Sequence, residues 1–539
     1  MIVIQGKDGT KCAEVMVMSR FLYRGGVATL LSLVMLLLLC VPAFAVLGEG
    51  YYTTLPTIYL QGQGAWIAAE KGNIKSERLD KFEVPDGYIG DAAKALIPPL
   101  LKGLTLNKWQ EWEDEFIARV LPLVEKNALD ENGEASNGSG PVWHTSTGNR
   151  RNNDGVFDMN SYVISYDWRL DPCATADEVQ DYIEKIKAST GAEKVNLIGR
   201  SIGASVVLAY LAEYGMADIE TVILYCPSFY GMEAVSRLFA GKLEIDPKGI
   251  SRFLDFYVNS GELGESDAQL YALLKDVVAV MAKSHQLDLP AKMLERIYEK
   301  VWRDVYPRLL VKMYGSMPSF WSLVGDDDYA DAKQAIFAGQ EETYKGLIEK
   351  IDNFHYNVLL PSVQMLKDFA DNGEKVQIVL KYGVPMIPVN DLSDAQTDML
   401  TSVYSASPNA TCSSLTGTLS NSYIDSLADQ RFLSPDKQID ASTCLLPEHT
   451  WFIKNVGHRD MPDSITALFE AIYEFDGNMT VFDNEQFPQY LFFDEATQQM
   501  SPLTKDNMVS ENEQEWSMSF FARLVRMFRL LFEYLFKRQ

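Results

Sequence analysis

Histidine is scarce in this chain, with five residues in 539. A histidine base or an imidazole metal site therefore has few places to be. Cysteine is nearly as sparse, at six, and no Cys-x-x-Cys spacing occurs. That excludes a zinc ribbon and a dithiol redox motif. Positive charge is in deficit: 48 Lys and Arg stand against 74 Asp and Glu, a net charge of -26 at pH 7. Such a surface repels phosphate backbones, so no nucleic-acid partner is expected. No internal repeat is present, which removes solenoid and propeller architectures. The acidic run Gly325-Asp326-Asp327-Asp328 lacks the ligand spacing of a calcium loop and reads as solvated surface. Neither a metal nor a cofactor is expected.

What the chain does have is apolar mass. Hydrophobic residues make up 47% and aromatics 11%, enough for a large core and too much for a disordered chain. One apolar run stands apart. Arg20 and Arg24 precede Val27–Val41, and Ala43-Phe44-Ala45 follows. A basic start, an apolar stretch and a small-x-small site make residues 1–45 a secretory signal peptide, the alternative being an uncleaved anchor over residues 25–48. The protein is thus expected to be secreted or to sit on the extracellular face of the membrane. Export leaves Cys173, Cys226, Cys412 and Cys444. Cys412 and Cys444 lie 32 residues apart in one loop-rich stretch. A disulfide is expected there, worth about 4 kcal/mol on a chain-entropy estimate.

Strand and helix patterns alternate after residue 56. Pro56–Trp66 reads as a strand ending in a glycine-rich turn. Residues 104–126 carry Trp109, Trp112, Phe116, Val120 and Leu121 near one helical face. Ser161–Trp168 is a strand, and Thr175 with Glu178 forms a capping signal for a helix closed by Gly191. Lys194–Gly199 is a strand, Ser201–Gly215 a helix, and Thr221–Cys226 another buried strand. This alternation predicts an α/β fold with a mostly parallel central sheet flanked by helices. Residues 46–227 form its first part. Residues 228–370, mostly helical and aromatic, form a helical cap inserted over the strand ends, where open sheets place ligands. Strands resume at Lys375–Gly383 and Thr450–Gly457, giving residues 371–475 as the second part. Residues 476–515 read as an acidic linker. Residues 516–539 read as an amphipathic helix, with Ala522, Arg526, Arg529, Glu533 and Lys537 on one face. Through 519–539 it is expected to meet a membrane surface.

Gly199-Arg200-Ser201-Ile202-Gly203 fits Gly-x-Ser-x-Gly in the strand-turn-helix context that this pattern requires. The two glycines leave room where strand and helix cross, and the turn lifts the Ser201 hydroxyl above the sheet edge. The first N–H groups of the helix aim at the same point and favour developing negative charge. A serine needs a base, and the base an orienting acid. Of the five histidines, His458 directly follows the last predicted strand and is the candidate base. His144, His285, His355 and His449 sit before the serine region, in the insertion or ahead of that strand. The acid belongs after the preceding strand, where Asp391, Asp394 and Asp398 all lie. Local pattern does not choose among them.

The stretches SYDWRLDP, GRSIG, CPSFYGMEAVSRLFAG and YGSMPSFWSL together resemble the lecithin:cholesterol acyltransferase-like lipases and esterases of the α/β-hydrolase superfamily. The resemblance spans roughly residues 56–475 and implies an α/β-hydrolase fold. It implies a serine ester hydrolase acting through an acyl-enzyme on an acyl ester or lipid. Transfer to another alcohol, or an inactive binding protein on the same fold, are the alternatives. It also implies that Asp398, before Ser405-Ala406, is the acid, with Asp394 second. The glycine usual after the acid is Met399 here. The oxyanion donors implied are the N–H groups of Ile202 and of Gln63, in Gln61-Gly62-Gln63, where Gln61 replaces the usual His or Pro. Protein collected from culture medium is expected to begin at Val46 by N-terminal sequencing; an earlier start would refute the cleavage site.

Overall fold

A computed structural model describes residues 55–529. It omits 64–65, 80–94, 97, 101, 104–105, 143–149, 152–156, 159–160, 243–246, 260–275, 277–278, 280–308, 389–391, 462–463, 510–512, 515, 517, 520–521 and 528. The signal-peptide reading of residues 1–45, His144, His285 and Asp391 lie outside the described residues. Among the described residues no helix is long and apolar enough to cross a membrane.

Eight strands form the central sheet: β1 Thr57–Leu60, β2 Ser161–Ile164, β3 Val195–Arg200, β4 Ile219–Tyr225, β5 Lys375–Tyr382, β6 Thr450–Lys454, β7 Tyr490–Asp494 and β8 Gln499–Pro502. Their order is β8-β7-β6-β5-β4-β3-β1-β2. All neighbours are parallel except β7 and β8. The central strands are apolar on both faces, as a sheet covered by helices requires. In β5, Val376, Ile378, Leu380 and Tyr382 join one core and Val379 the other. The expectation of a mostly parallel α/β sheet holds.

The strand order reverses at β1. The chain leaves β1 toward β2 at one edge, then returns past β1 to β3 and travels the other way. Neighbouring strands that send the chain in opposite directions open a crevice at their carboxyl ends. Leu60 pairs with Gly199 in register, so Gln61 and Ser201 leave the sheet side by side at that crevice.

Helices cover both faces. They are α1 Gln110–Val124, α2 Pro172–Thr190, α3 Ile202–Tyr214, α4 Glu233–Phe239, α5 Pro247–Asn259, α6 Asp326–Phe337, α7 Lys345–Phe354, α8 Ser362–Asp371 and α9 Ser464–Glu474. The α2 cap differs from expectation. Asp171 accepts from the Cys173 N–H at 3.0 Å, and Thr175 lies inside the helix. Pro172 fills the first helical position and starts the helix one turn early. Gly191, at φ 75°, closes it as expected.

Three further expectations are corrected. Residues 476–515 are not a linker: they contain β7 and β8, which extend the main sheet. The acidic composition hid two short strands: Leu491 and Phe493 of β7 face a core, and Met500 of β8 packs against it. Residues 228–370 are helical where described but are not simply a cap. The segment 318–321 packs on α3, and α8 packs on both α3 and β5, so this half is the crossover layer of the sheet. Most of its described aromatics are core, Tyr230 and Tyr356 being exposed. Trp321 is buried, stacks on Phe337 with centroids 5.1 Å apart, and meets Phe239 edge-on. Finally, Cys412 and Cys444 carry free thiols. The excursion they were expected to close is already held without a covalent link. Thr411–Cys412 pairs with Ile439–Asp440, and the Thr411 N–H donates to Thr443 Oγ1 at 2.9 Å.

The described part of the C-terminal tail also departs from a simple surface helix. Arg523 is 2% exposed and forms a two-bond pair with Asp255 of α5, at 3.0 and 2.7 Å. Arg526 pairs with Asp276 through two bonds of 2.7 Å. Both carboxylates are fully buried. Arg526, read as part of the polar face, is thus turned inward, because a buried carboxylate without water needs a cation as partner. Removing one partner strands the other charge. Arg523→Ala is expected to cost about 3–5 kcal/mol in urea unfolding. Replacing Arg523 and Asp255 together by leucine should recover most of that loss.

Candidate active site

Ser201 occupies the single residue between β3 and α3. Its backbone sits at φ 53° and ψ -121°, a conformation few residues with a Cβ adopt. The sequence enforces it through what it omits. A Cβ on Gly203 would stand 2.3 Å from the Leu60 carbonyl, and one on Gly199 would stand 2.6 Å from the Gly203 carbonyl and from Val207. Both elbow glycines are therefore where the sequence analysis put them, at close approaches of backbone. Gly62 is a third. Its Cβ would meet Ser201 Cβ and the Arg200 carbonyl at 3.0 Å. The Tyr166 hydroxyl, buried beneath, donates to the Gln61 carbonyl and fixes the start of that turn. The glycine-rich turn was the only sequence signal for Gly62.

His458 follows β6 by four residues. Its Nε2 lies 2.9 Å from Ser201 Oγ, and its Nδ1 lies 2.6 Å from Asp398 Oδ2. A carboxylate only accepts, so Nδ1 carries the proton and Nε2 is left to accept from the serine hydroxyl. Asp398 and His458 are both buried, at 2% and 5% exposure. Asp398 holds its geometry through Oδ1, which accepts from the Leu400 and Thr401 N–H groups at 3.1 and 2.9 Å. Burial alone would raise its pKa. The adjacent His458, the Thr401 N–H and the Lys381 charge together hold it below the ordinary carboxylate value. Met399, where a glycine is usual, keeps the backbone at φ 93°. The glycine conformation survives without the glycine.

Asp394 does not reach the imidazole. It is 54% exposed and pairs with Arg252 of α5. The other described histidines are elsewhere: His355 meets Asp326 at 3.0 Å, and His449 Nδ1 meets the Met479 carbonyl at 2.9 Å. Ile202 opens α3, where first-turn N–H groups have no acceptor within the helix. Gln63 follows Gly62 in the turn after β1.

Two site residues carried no readable signal. Glu233, at the start of α4, accepts from the Ser402 N–H at 2.8 Å and from the Ser402 hydroxyl, tying down the chain just past Asp398. Cys226, directly after β4, completes the one cluster of possible metal-ligating atoms among the described residues, with Asp398 and His458. That cluster fits a hydrogen-bonded pair better than a metal. Asp398 and His458 already satisfy each other, and burial pushes the Cys226 thiol up to about 12, so no thiolate stands ready.

No family model matches the chain. No curated protein matches it either. A solved structure described as a mutant of an epoxide hydrolase from Pseudomonas aeruginosa is similar at a TM-score of 0.13 and 14% identity. The match covers 39% of this chain and 55% of that one. A likeness that slight decides nothing about chemistry, which rests on the geometry above.

The depressed Asp398 value has a consequence for stability. A carboxyl held low in the folded state stabilises it above the unfolded value of about 3.9, and that contribution fades as pH falls through the lower folded value. Asp398→Asn is therefore expected to lose less stability on acidification below about pH 4 than the parent. Urea unfolding at stepped pH measures it.

Proposed function

We propose that the protein is a serine ester hydrolase of the α/β-hydrolase type, working through Ser201, His458 and Asp398 and an acyl-enzyme. The observation that carries this reading is the unbroken run of contacts from Asp398 Oδ2 to His458 at 2.6 Å and on to Ser201 Oγ at 2.9 Å. The three residues come from three different strand ends, and a loop-packing histidine has no need of such an arrangement.

In this mechanism the Ser201 hydroxyl attacks the carbonyl carbon of an acyl ester while Nε2 of His458 takes its proton. Asp398 holds the imidazole in the correct tautomer and stabilises the imidazolium. The carbonyl oxygen becomes an oxyanion and is held by the N–H groups of Ile202 and Gln63. His458 then gives its proton to the departing alkoxide, and an alcohol leaves. Water, deprotonated by the same Nε2, attacks the acyl-enzyme, releases the acid and restores Ser201. An oxyanion donor contributes roughly 10²–10³-fold in rate, and a positioned base roughly 10²–10⁴-fold. The substrate class is an acyl ester, lipids included, as in the lipases that the sequence resembles. On the reading of residues 1–45 as a signal peptide, the hydrolysis takes place outside the cytoplasm.

Ser201→Ala is expected to abolish p-nitrophenyl ester hydrolysis and labelling by a fluorophosphonate probe, with an unchanged melting temperature. Asp398→Asn is expected to lower kcat by on the order of 10⁴-fold, because the imidazole loses its tautomer control. Turnover by Ser201→Ala at the parent's rate sinks the reading. We further propose that the tail meets lipid through its outward side, where Val525 is 63% exposed. Val525→Asp should weaken flotation with anionic vesicles while leaving ester turnover unchanged.

A further inference from the structure

Behind the imidazole, each carbonyl of residues 457 to 460 meets the buried Lys381 or the half-buried Arg200. Lys381 projects from the carboxyl end of β5 and is 1% exposed. Its Nζ donates to the Gly457 carbonyl at 3.0 Å, to the His458 carbonyl at 3.1 Å and to the Asp460 carbonyl. Arg200, the residue before Ser201, donates through one nitrogen to the His458 carbonyl at 3.1 Å and the Arg459 carbonyl at 2.6 Å. The Tyr225 ring lies under both, 4.8 Å from the ammonium and 5.9 Å from the guanidinium carbon.

This is an unusual use of a lysine. A buried ammonium ordinarily pairs with a carboxylate. Here its three N–H donors are matched to three peptide carbonyls, a full set of hydrogen bonds. Burial, and to a lesser degree the Arg200 charge, draws the Lys381 pKa below its ordinary value. Cys226, Asp460 and Asp398 nearby act the other way. A cation this costly to bury has to hold something in place to be worth keeping.

What it holds is the backbone on one side of His458. On the other side, the His458 N–H donates to the Asp398 carbonyl at 2.7 Å. Both peptide planes flanking the His458 Cα are thereby fixed. With those planes fixed, so is the direction of its Cβ, and the imidazole arrives within 2.9 Å of Ser201 Oγ. The turn also carries local bonds, Gly457 N–H to Asp460 Oδ2 at 3.0 Å and Asp460 N–H to the Gly457 carbonyl at 3.1 Å. These two shape the turn, whereas the bonds from Lys381 and Arg200 tie it to strand ends.

We propose that Lys381, assisted by Arg200, is the positioning residue for the base: it docks the His458 turn onto the ends of β5 and β3 and thereby sets the His458–Ser201 distance. The proposal rests on the reading of His458 as the base. Neither cation touches the reacting atoms. Lys381 acts through the carbonyls of the His458 turn and through its charge on Asp398, whereas Arg200 also borders the serine.

The test compares Lys381→Met, Lys381→Arg and Arg200→Met with the parent and with Ser201→Ala and His458→Ala. Substrate is p-nitrophenyl butyrate, and a fluorophosphonate probe counts competent sites so that kcat refers to folded enzyme. A displacement of about 1 Å at a reacting group costs on the order of 10²-fold. Lys381→Met is therefore expected to lose about 10²-fold in kcat per titrated site with KM within about twofold of the parent. Lys381→Arg, which restores N–H donors, is expected to regain at least about tenfold of that. A general loss of folding instead lowers the number of titrated sites and leaves kcat per site alone. A folded Lys381→Met with parental kcat, or a loss confined to KM, overturns the proposal. If Lys381→Met does not fold, Arg200→Met decides: it shares the His458 carbonyl, and a parental kcat per site overturns the proposal equally. Failure of the underlying hydrolase reading looks different, because Ser201→Ala and His458→Ala then keep the parent's activity, and the positioning role falls with it.

Discussion

Four neighbouring parallel strands release the chain through a residue with positive φ. Ser201 follows β3 at 53°, Cys226 follows β4 at 50°, Gly383 follows β5 at 82° and Asn455 follows β6 at 67°. The constraint is geometric. A strand buried on both faces has to turn sharply at its end, because the space beyond it belongs to the next connection. Only one of the four is glycine, and each of the others carries a strain of order 1–3 kcal/mol, least for asparagine. That strain persists because the surroundings leave no alternative. The Ser201 N–H bonds the Tyr225 carbonyl at 3.0 Å, the Cys226 N–H the Val379 carbonyl at 2.8 Å and the Asn455 N–H the Tyr382 carbonyl at 2.8 Å. Each turn is clamped by its neighbouring strand, and the site is assembled on these clamped ends.

Buried cations do the second part of the assembly. Adjacent strands β5 and β6 each carry a lysine near the carboxyl end, Lys381 and Lys454, both almost fully buried. Lys454 donates to Asp436 at 2.8 Å, Gln438 at 3.1 Å, the Met508 carbonyl at 2.7 Å and Glu513 at 3.0 Å. It joins the long excursion before β6 to the segment after β8. Arg169 does likewise near β2: it pairs with Asp167 at 2.7 Å and reaches Ser139 and Asn127, tying the stretch before β2 to the strand end. A chain carrying a net charge of -26 spends several of its cations inside. Each sits where a connection outside the main sheet is fixed to a strand end.

The legibility of the sequence follows the same division. The elbow was readable because two glycines and a serine in a strand-turn-helix context admit few other structures. His458 was readable because histidines are few and only one follows a late strand directly. Asp398 was not readable from pattern alone: Asp394 and Asp398 are four residues apart, and what separates them is that Arg252, far away in sequence, takes the first. Lys381 and Glu233 left almost no trace, since their partners are backbone groups or a serine that composition does not mark. The stretch 476–515 misled because it is acidic and polar, while one short apolar strand, β7, carries β8 onto the sheet beside it. Local pattern reports propensity and turn chemistry; it is blind to which distant carbonyl or carboxylate a side chain will meet.

The three site residues also differ in how they are held, and the difference follows their distance from regular structure. Ser201 has no free chain on either side, with a strand before it, a helix after it, and three glycines admitting backbone against it. His458 stands four residues past β6 and relies on polar contacts to the sheet. Asp398 stands farthest from its strand, sixteen residues past Tyr382, and is held by a network of local bonds. Thr397 Oγ1 donates to the Val384 carbonyl at 2.6 Å, the Val384 N–H donates to the Thr397 carbonyl at 3.0 Å, and Glu233 closes over Ser402. Polar contacts are modest singly but costly to leave unmade when buried. A group farther from regular structure relies on them more for its placement, as His458 and Asp398 do beside Ser201.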